Sequence, residues 1–114
     1  YLLGDYGKIA YFDSDYEFLG SWGKMGSGLG EFLYPGDIAV GPTGDVFVAD
    51  NYNHRVQHFT AAGSFVSAWG NDGLGPGEFH YPSGIAVAAD GTVYVADTGN
   101  SRIQYFRPVS AEEN

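Results

Sequence analysis

The chain has 114 residues, 44% of them hydrophobic and 17% aromatic, and a formal net charge of −9. That length suits one compact domain with a packed core, which argues against disorder and against two ordinary domains. Five Lys and Arg cannot form a basic patch, which makes nucleic acid and anionic membrane poor partners, and the lack of cysteine excludes disulfides and Cys-ligated zinc.

No run of eighteen apolar residues exists, so no membrane insertion is expected. The acidity favours solubility and leaves cationic surfaces or metal ions as unspecific partners. The chain starts at Tyr1 without an initiator Met or a signal-like segment, as expected of a processed product or an excerpt.

Taken in order, the first element is Lys8–Phe12, short and apolar, followed by Phe18–Trp22. After the glycine-rich segment 23–36 come strand a at Asp37–Val40, strand b at Asp45–Asp50, strand c at Arg55–Phe59 and strand d at Phe65–Trp69. The series then restarts with a at Gly84–Val87, b at Thr92–Asp97 and c at Arg102–Phe106. These runs are β-branched and aromatic and are bounded by Gly, Pro, Asn and Asp, which reads as an all-β fold. Pro42-Thr43-Gly44-Asp45 and Ala89-Asp90-Gly91-Thr92 are a–b turns, and Ala62-Gly63 turns c into d. Continuous apolar strands such as Ile85-Ala86-Val87 imply burial on both faces.

The restart is a repeat of about 47 residues. Trp22-Gly23 falls on Trp69-Gly70, and Gly26, Gly28, Gly30, Glu31 and Phe32 fall on Gly73, Gly75, Gly77, Glu78 and Phe79. Tyr34-Pro35 meets Tyr81-Pro82, and Asp50, Asn53, Arg55, Gln57 and Phe59 meet Asp97, Asn100, Arg102, Gln104 and Phe106. Lys8–Phe12 is a third, worn copy: at the same offset, Leu3 and Tyr6 stand where the others have Asp and Asn.

Pro-x-x-Ile-Ala-Val, Gly-x-Val-(Phe/Tyr)-Val-Ala-Asp, Asn-x-Arg-(Val/Ile)-Gln-x-Phe and Gly-x-Phe followed by Trp-Gly together resemble the NHL repeat across residues 8–107. The resemblance implies a β-propeller of four-stranded antiparallel blades, incomplete in this chain at about two and a half blades. It departs at Asp37, which replaces a glycine that Gly84 retains. On this reading residues 1–23 are a partial, degenerate blade with strands c and d, and b at most. Residues 24–70 form a complete blade, 71–107 a blade lacking strand d, and 108–114 a polar tail.

Asp50, Asn53, Arg55 and Asp97, Asn100, Arg102 are expected to be structural clamps and not catalytic triads. Asp ends strand b, Arg opens strand c, the ion pair closes the hairpin, and Asn suits a left-handed turn position. A clamp is needed in every blade, whereas catalysis is needed once. Trp22, Trp69, Phe12, Phe59 and Phe106 are read as packing between blades. Functional information should therefore lie on the long-loop face, formed by segments 23–36 and 70–83 with turns 51–54 and 98–101. Its candidate binding residues are Tyr34, Asp37, Asn51, Tyr52, His54, His80 and Tyr81, with Lys24 and Asp72 nearby.

His54, His58 and His80 match no zinc-binding spacing, so neither metal nor cofactor is expected, and His58 reads as a filler at the place of Tyr105. Asp13-Ser14-Asp15 with Glu17 lacks the calcium-loop pattern and reads as a polar turn. The Gly-x-Gly-x-Gly runs open no helix and are not phosphate cradles.

The expected function is a non-enzymatic module for a protein, peptide or glycan ligand. Family resemblance favours an extracellular or cell-surface setting. A structural, self-assembling unit completed by other copies or by missing blades is the alternative. The other is a fragment of a metal-dependent propeller enzyme similar to lyases or lactonases, although the inner strands offer only Asp37 as a ligand.

Overall fold

The fold was obtained as a computed structural model that describes residues 1–3 and 7–108. The described residues form ten strands: β1 (Leu2–Leu3), β2 (Ile9–Phe12), β3 (Phe18–Trp22), β4 (Asp37–Val40), β5 (Val46–Asp50), β6 (Arg55–Phe59), β7 (Phe65–Trp69), β8 (Pro82–Val87), β9 (Val93–Asp97) and β10 (Arg102–Phe106). They form three antiparallel sheets in the orders β1-β2-β3, β4-β5-β6-β7 and β8-β9-β10. Chain order equals spatial order in each sheet, as tight turns between successive strands require.

The sheets stack face to face, and the period-2 alternation of each strand decides which side chain enters which interface. Val46 and Val48 of β5 join Ile9, Phe32 and Phe59 in the core between the first and second sheets. Phe47 and Ala49 point the other way, into the core with Val56, Phe79, Ile85, Val93 and Val95. All five residues of β5 are consequently buried. Each such Val or Phe contributes about 1.5–3 kcal/mol of burial.

The third sheet behaves differently. In β8 Ile85 is buried but Ala86 is exposed, so the expected burial of both faces does not hold there. A strand is buried twice only where sheets cover it on two sides, and among the described residues only the second sheet is so covered. Strand β8 also begins two residues before its expected start at Gly84, with a register shift between Pro82 and Gly84.

Trp22 packs on Phe59 with ring centroids 5.5 Å apart, and Trp69 on Phe106 at 5.4 Å, so these recurring aromatics do join neighbouring sheets. Phe12 is the exception, meeting Phe18 of its own sheet at 5.8 Å. The Trp-Gly pair has a steric cause. Gly70 adopts φ 105°, and a Cβ on it would come within 2.5 Å of the Phe79 ring.

One alignment needs correcting. Leu3 pairs with Ile9 just as Ala49 pairs with Val56, so Leu3 takes the register of Ala49 and not that of Asp50. The connection back to the next strand is one residue shorter in the first sheet, which a gapless offset hides. Tyr6 and residues 109–114 of the expected tail lie outside the described residues.

Candidate functional site

The recurring Asp–Asn–Arg sets do more than close a hairpin. Asp50 has no solvent exposure. Its Oδ2 accepts from Arg55 Nε at 2.7 Å, Asn53 Nδ2 at 3.0 Å and Gln57 Nε2 at 3.2 Å, and its Oδ1 accepts the Leu33 N–H at 2.8 Å. Arg55 then donates to the carbonyls of Ser27, Gly28 and Glu31, and Gln57 donates to that of Glu31. The guanidinium fork thus pins the long connection that arrives from the preceding sheet.

Asp97, Asn100, Arg102 and Gln104 repeat this network on Leu74, Gly75 and Glu78. Burial pushes the Asp97 carboxyl up, but the His80 N–H, Asn100, and the Arg102 guanidinium together hold it below the ordinary carboxylate value.

Asn53 and Asn100 are not the left-handed residues of these turns. They end short 3₁₀ turns, Asn51–Asn53 and Thr98–Asn100, and the left-handed positions fall to His54 (φ 52°) and Ser101 (φ 53°). Each Asn instead donates to a loop carbonyl, Gly26 or Gly73. The glycine-rich segments also find their reason within the chain. Glu31 Oε1 accepts the Gly28 N–H at 3.0 Å, and Glu78 Oε1 accepts the Gly75 N–H at 2.9 Å, so the glycines make room for a carboxylate folded back on its own loop. In the Asp13 turn, likewise, Asp13 Oδ1 accepts the N–H groups of Asp15 and Glu17.

On this fixed loop face the candidate residues divide into two groups. Asp37 and Asn51 are committed between sheets. Asp37 Oδ2 accepts the Ile85 N–H at 3.0 Å, and Asn51 Nδ2 donates to the Pro82 carbonyl at 2.8 Å. The others form a continuous run of rings. Tyr34 lies 4.8 Å from Tyr52, Tyr52 lies 5.3 Å from Tyr81, and Tyr81 lies 4.5 Å from His54 and 4.6 Å from His80. Tyr34 and Tyr52 are 55% and 52% exposed. Tyr34, His54 and Tyr81 all sit at positive φ, a backbone region that bulky side chains rarely adopt. Lys24 is apart from this run, paired with Glu31 at 3.4 Å.

The fold also gathers what spacing could not. His80 Nδ1 is 2.9 Å from Asp72 Oδ1, and His54 Nδ1 is 4.0 Å from the same oxygen. The hydrogen bond from His80 is the main cause holding the Asp72 carboxyl below its usual value. His58 is elsewhere, stacked on Phe47 at 4.2 Å and bonded to Asp45 through Nε2 at 2.6 Å. Zinc signatures count ligands along one local segment, whereas His54 and His80 meet only because the clamp holds two segments together.

Sheets of this topology, stacked in series with d–a connections crossing between them, define a β-propeller fragment. The NHL repeat family model matches residues 32–59 and 79–106, and the chain belongs to the NHL repeat family. Among solved structures it is similar to a protein of Bacteroides thetaiotaomicron VPI-5482 described as a candidate phosphatase, with a TM-score of 0.60 and 20% identity over 90% of this chain. At that identity the likeness concerns the fold alone. The chain spans 30% of the length of that structure. No curated protein matches the chain.

Proposed function

We propose that the chain is a non-enzymatic binding module whose long-loop face takes a protein, peptide or glycan ligand. The observation that carries this reading is the exposed run of Tyr34, Tyr52 and Tyr81, with His54 and His80 at its end. Aromatic rings with hydrogen-bonding tips give large contact area at low entropic cost, which suits peptide chains and sugar rings. Tyr34 and Tyr81 hold these rings in place at a backbone cost of about 1–3 kcal/mol each. The recurring Asp–Asn–Arg sets, by contrast, are spent on loop carbonyls, which supports binding over catalysis. Probing peptide and glycan arrays with the chain should give binders that are lost in a Tyr34→Ala/Tyr52→Ala double variant. Undiminished binding by that variant would contradict the reading.

A second observation favours association with a further blade. Ile103 stands at the place of Val56; Val56 is wholly buried beneath the third sheet, whereas Ile103 is 70% exposed. Tyr94 and Tyr105 flank it, 5.8 Å apart. We infer that another NHL-type sheet covers this apolar face. Sedimentation of the 114-residue chain at micromolar concentration should show oligomers, and a folded, dispersed monomer would count against it.

A further inference from the structure

We propose that His54, Asp72 and His80 form a binding site for one divalent transition-metal ion of the zinc class, joining the second sheet to the third. Each offers one ligand atom, and the three atoms lie within 4.8 Å of one another. Two imidazole nitrogens and a carboxylate oxygen are a donor set that suits zinc, and a fourth position would stay open to water.

The fold holds the three side chains together. Asp72 is fixed by a backbone bridge to Phe79, next to His80, whose own N–H is bonded to the buried Asp97 at 2.7 Å. His54 occupies its left-handed turn position, with its ring parallel to that of His80 at an interplanar angle of 4° and a centroid distance of 5.4 Å. The Tyr81 N–H donates to His54 Nδ1 at 3.0 Å, so the lone pair of that nitrogen faces this junction. Ligation through Nδ1 exchanges this hydrogen bond for the metal, and a proton on His80 Nδ1 passes to solvent. A groove of about 340 Å³, bounded by Asp72, Gly73, Leu74, His80, Gly99 and Asn100, gives the ion access.

The repeat supplies an internal comparison. At the junction of the first and second sheets the same three positions are Gly7, Met25 and Leu33, none with a nitrogen or oxygen ligand in its side chain. The clamp and the core are built equally well at both junctions, so the blade architecture does not call for His54, Asp72 and His80. All three differ together, and at one place.

The test is calorimetric titration of the untagged chain with zinc chloride alone at neutral pH, alongside thermal melts with and without zinc. One ion per chain and a melting point raised by several degrees are expected. Asp72→Asn, at an exposed side chain, and His80→Ala, at a half-buried one, should abolish binding while circular dichroism stays that of the parent. His58→Ala should bind as the parent does, although His58 also pairs with a carboxylate. Absence of zinc binding, or binding that survives both Asp72→Asn and His80→Ala, would overturn the proposal. Loss of binding in His58→Ala would overturn it equally.

Discussion

Asp97 accepts four hydrogen bonds in a place with no solvent exposure, from the His80 N–H, Asn100, Arg102 and Gln104. They outweigh its burial and lower its pKa, so its charged form belongs to the folded state. The stabilisation is full above the ordinary carboxylate range and is lost as pH falls through the lowered folded value. Glu31, Asp72 and Asp90 shift the same way, through the Gly28 N–H, His80 and the Thr92 N–H respectively. Melting followed by tryptophan fluorescence should therefore show stability falling below about pH 4. An Asp97→Asn variant should start lower at neutral pH and lose less on acidification. An unchanged pH profile in that variant would assign the acid sensitivity elsewhere. The pairing of Asp97 with Arg102 was legible in the sequence because the set recurs. The loop partners were not, because Leu74, Gly75 and Glu78 reach Arg102 only through the tertiary fold.

At the scale of elements, strand positions were readable from β-branched and aromatic runs between turn residues. Strand b of the middle copy is Val46–Asp50, and both d strands, Phe18–Trp22 and Phe65–Trp69, have the expected bounds. Leu3 departs from the repeat offset because one residue fewer between paired strands shifts register without changing apolar character. The left-handed turn position falls at His54 and not at Asn53 for a related reason. Asn53 tolerates that geometry, but its side chain is needed for the Gly26 carbonyl, and the position after it turns the chain. Gly70 illustrates how a connection is fixed by packing. Positive φ disfavours any side chain there, and a Cβ would meet both the Phe79 ring and Arg55 Cα. Gly70→Ala should cost more than about 1 kcal/mol in urea unfolding, since strain and displacement of Phe79 add. A neutral effect would mean that the Trp-Gly pairing serves something other than the blade-to-loop contact.

For the whole molecule, the division of labour runs between what recurs and what does not. Recurring residues build: the aromatic joints, the Asp–Asn–Arg clamps and the glycine loops hold three sheets in series. Residues that differ between copies, Tyr52, His54, Asp72 and His80, collect at one junction of the loop face beside the recurring Tyr34 and Tyr81. That this face would carry the variable residues could be read from the order of the strands. That the rings would form one run, and that Asp37 and Asn51 would be withdrawn from it into contacts between sheets, could not, because adjacency across sheets leaves no periodic trace. Binding by this face is checked by mapping backbone amide shifts on adding a peptide or glycan selected on the arrays. Perturbed amides are expected to cluster at residues 33–34, 51–54 and 80–81. Perturbations confined to the opposite turns, at residues 41–45, 60–64 and 88–92, would contradict it.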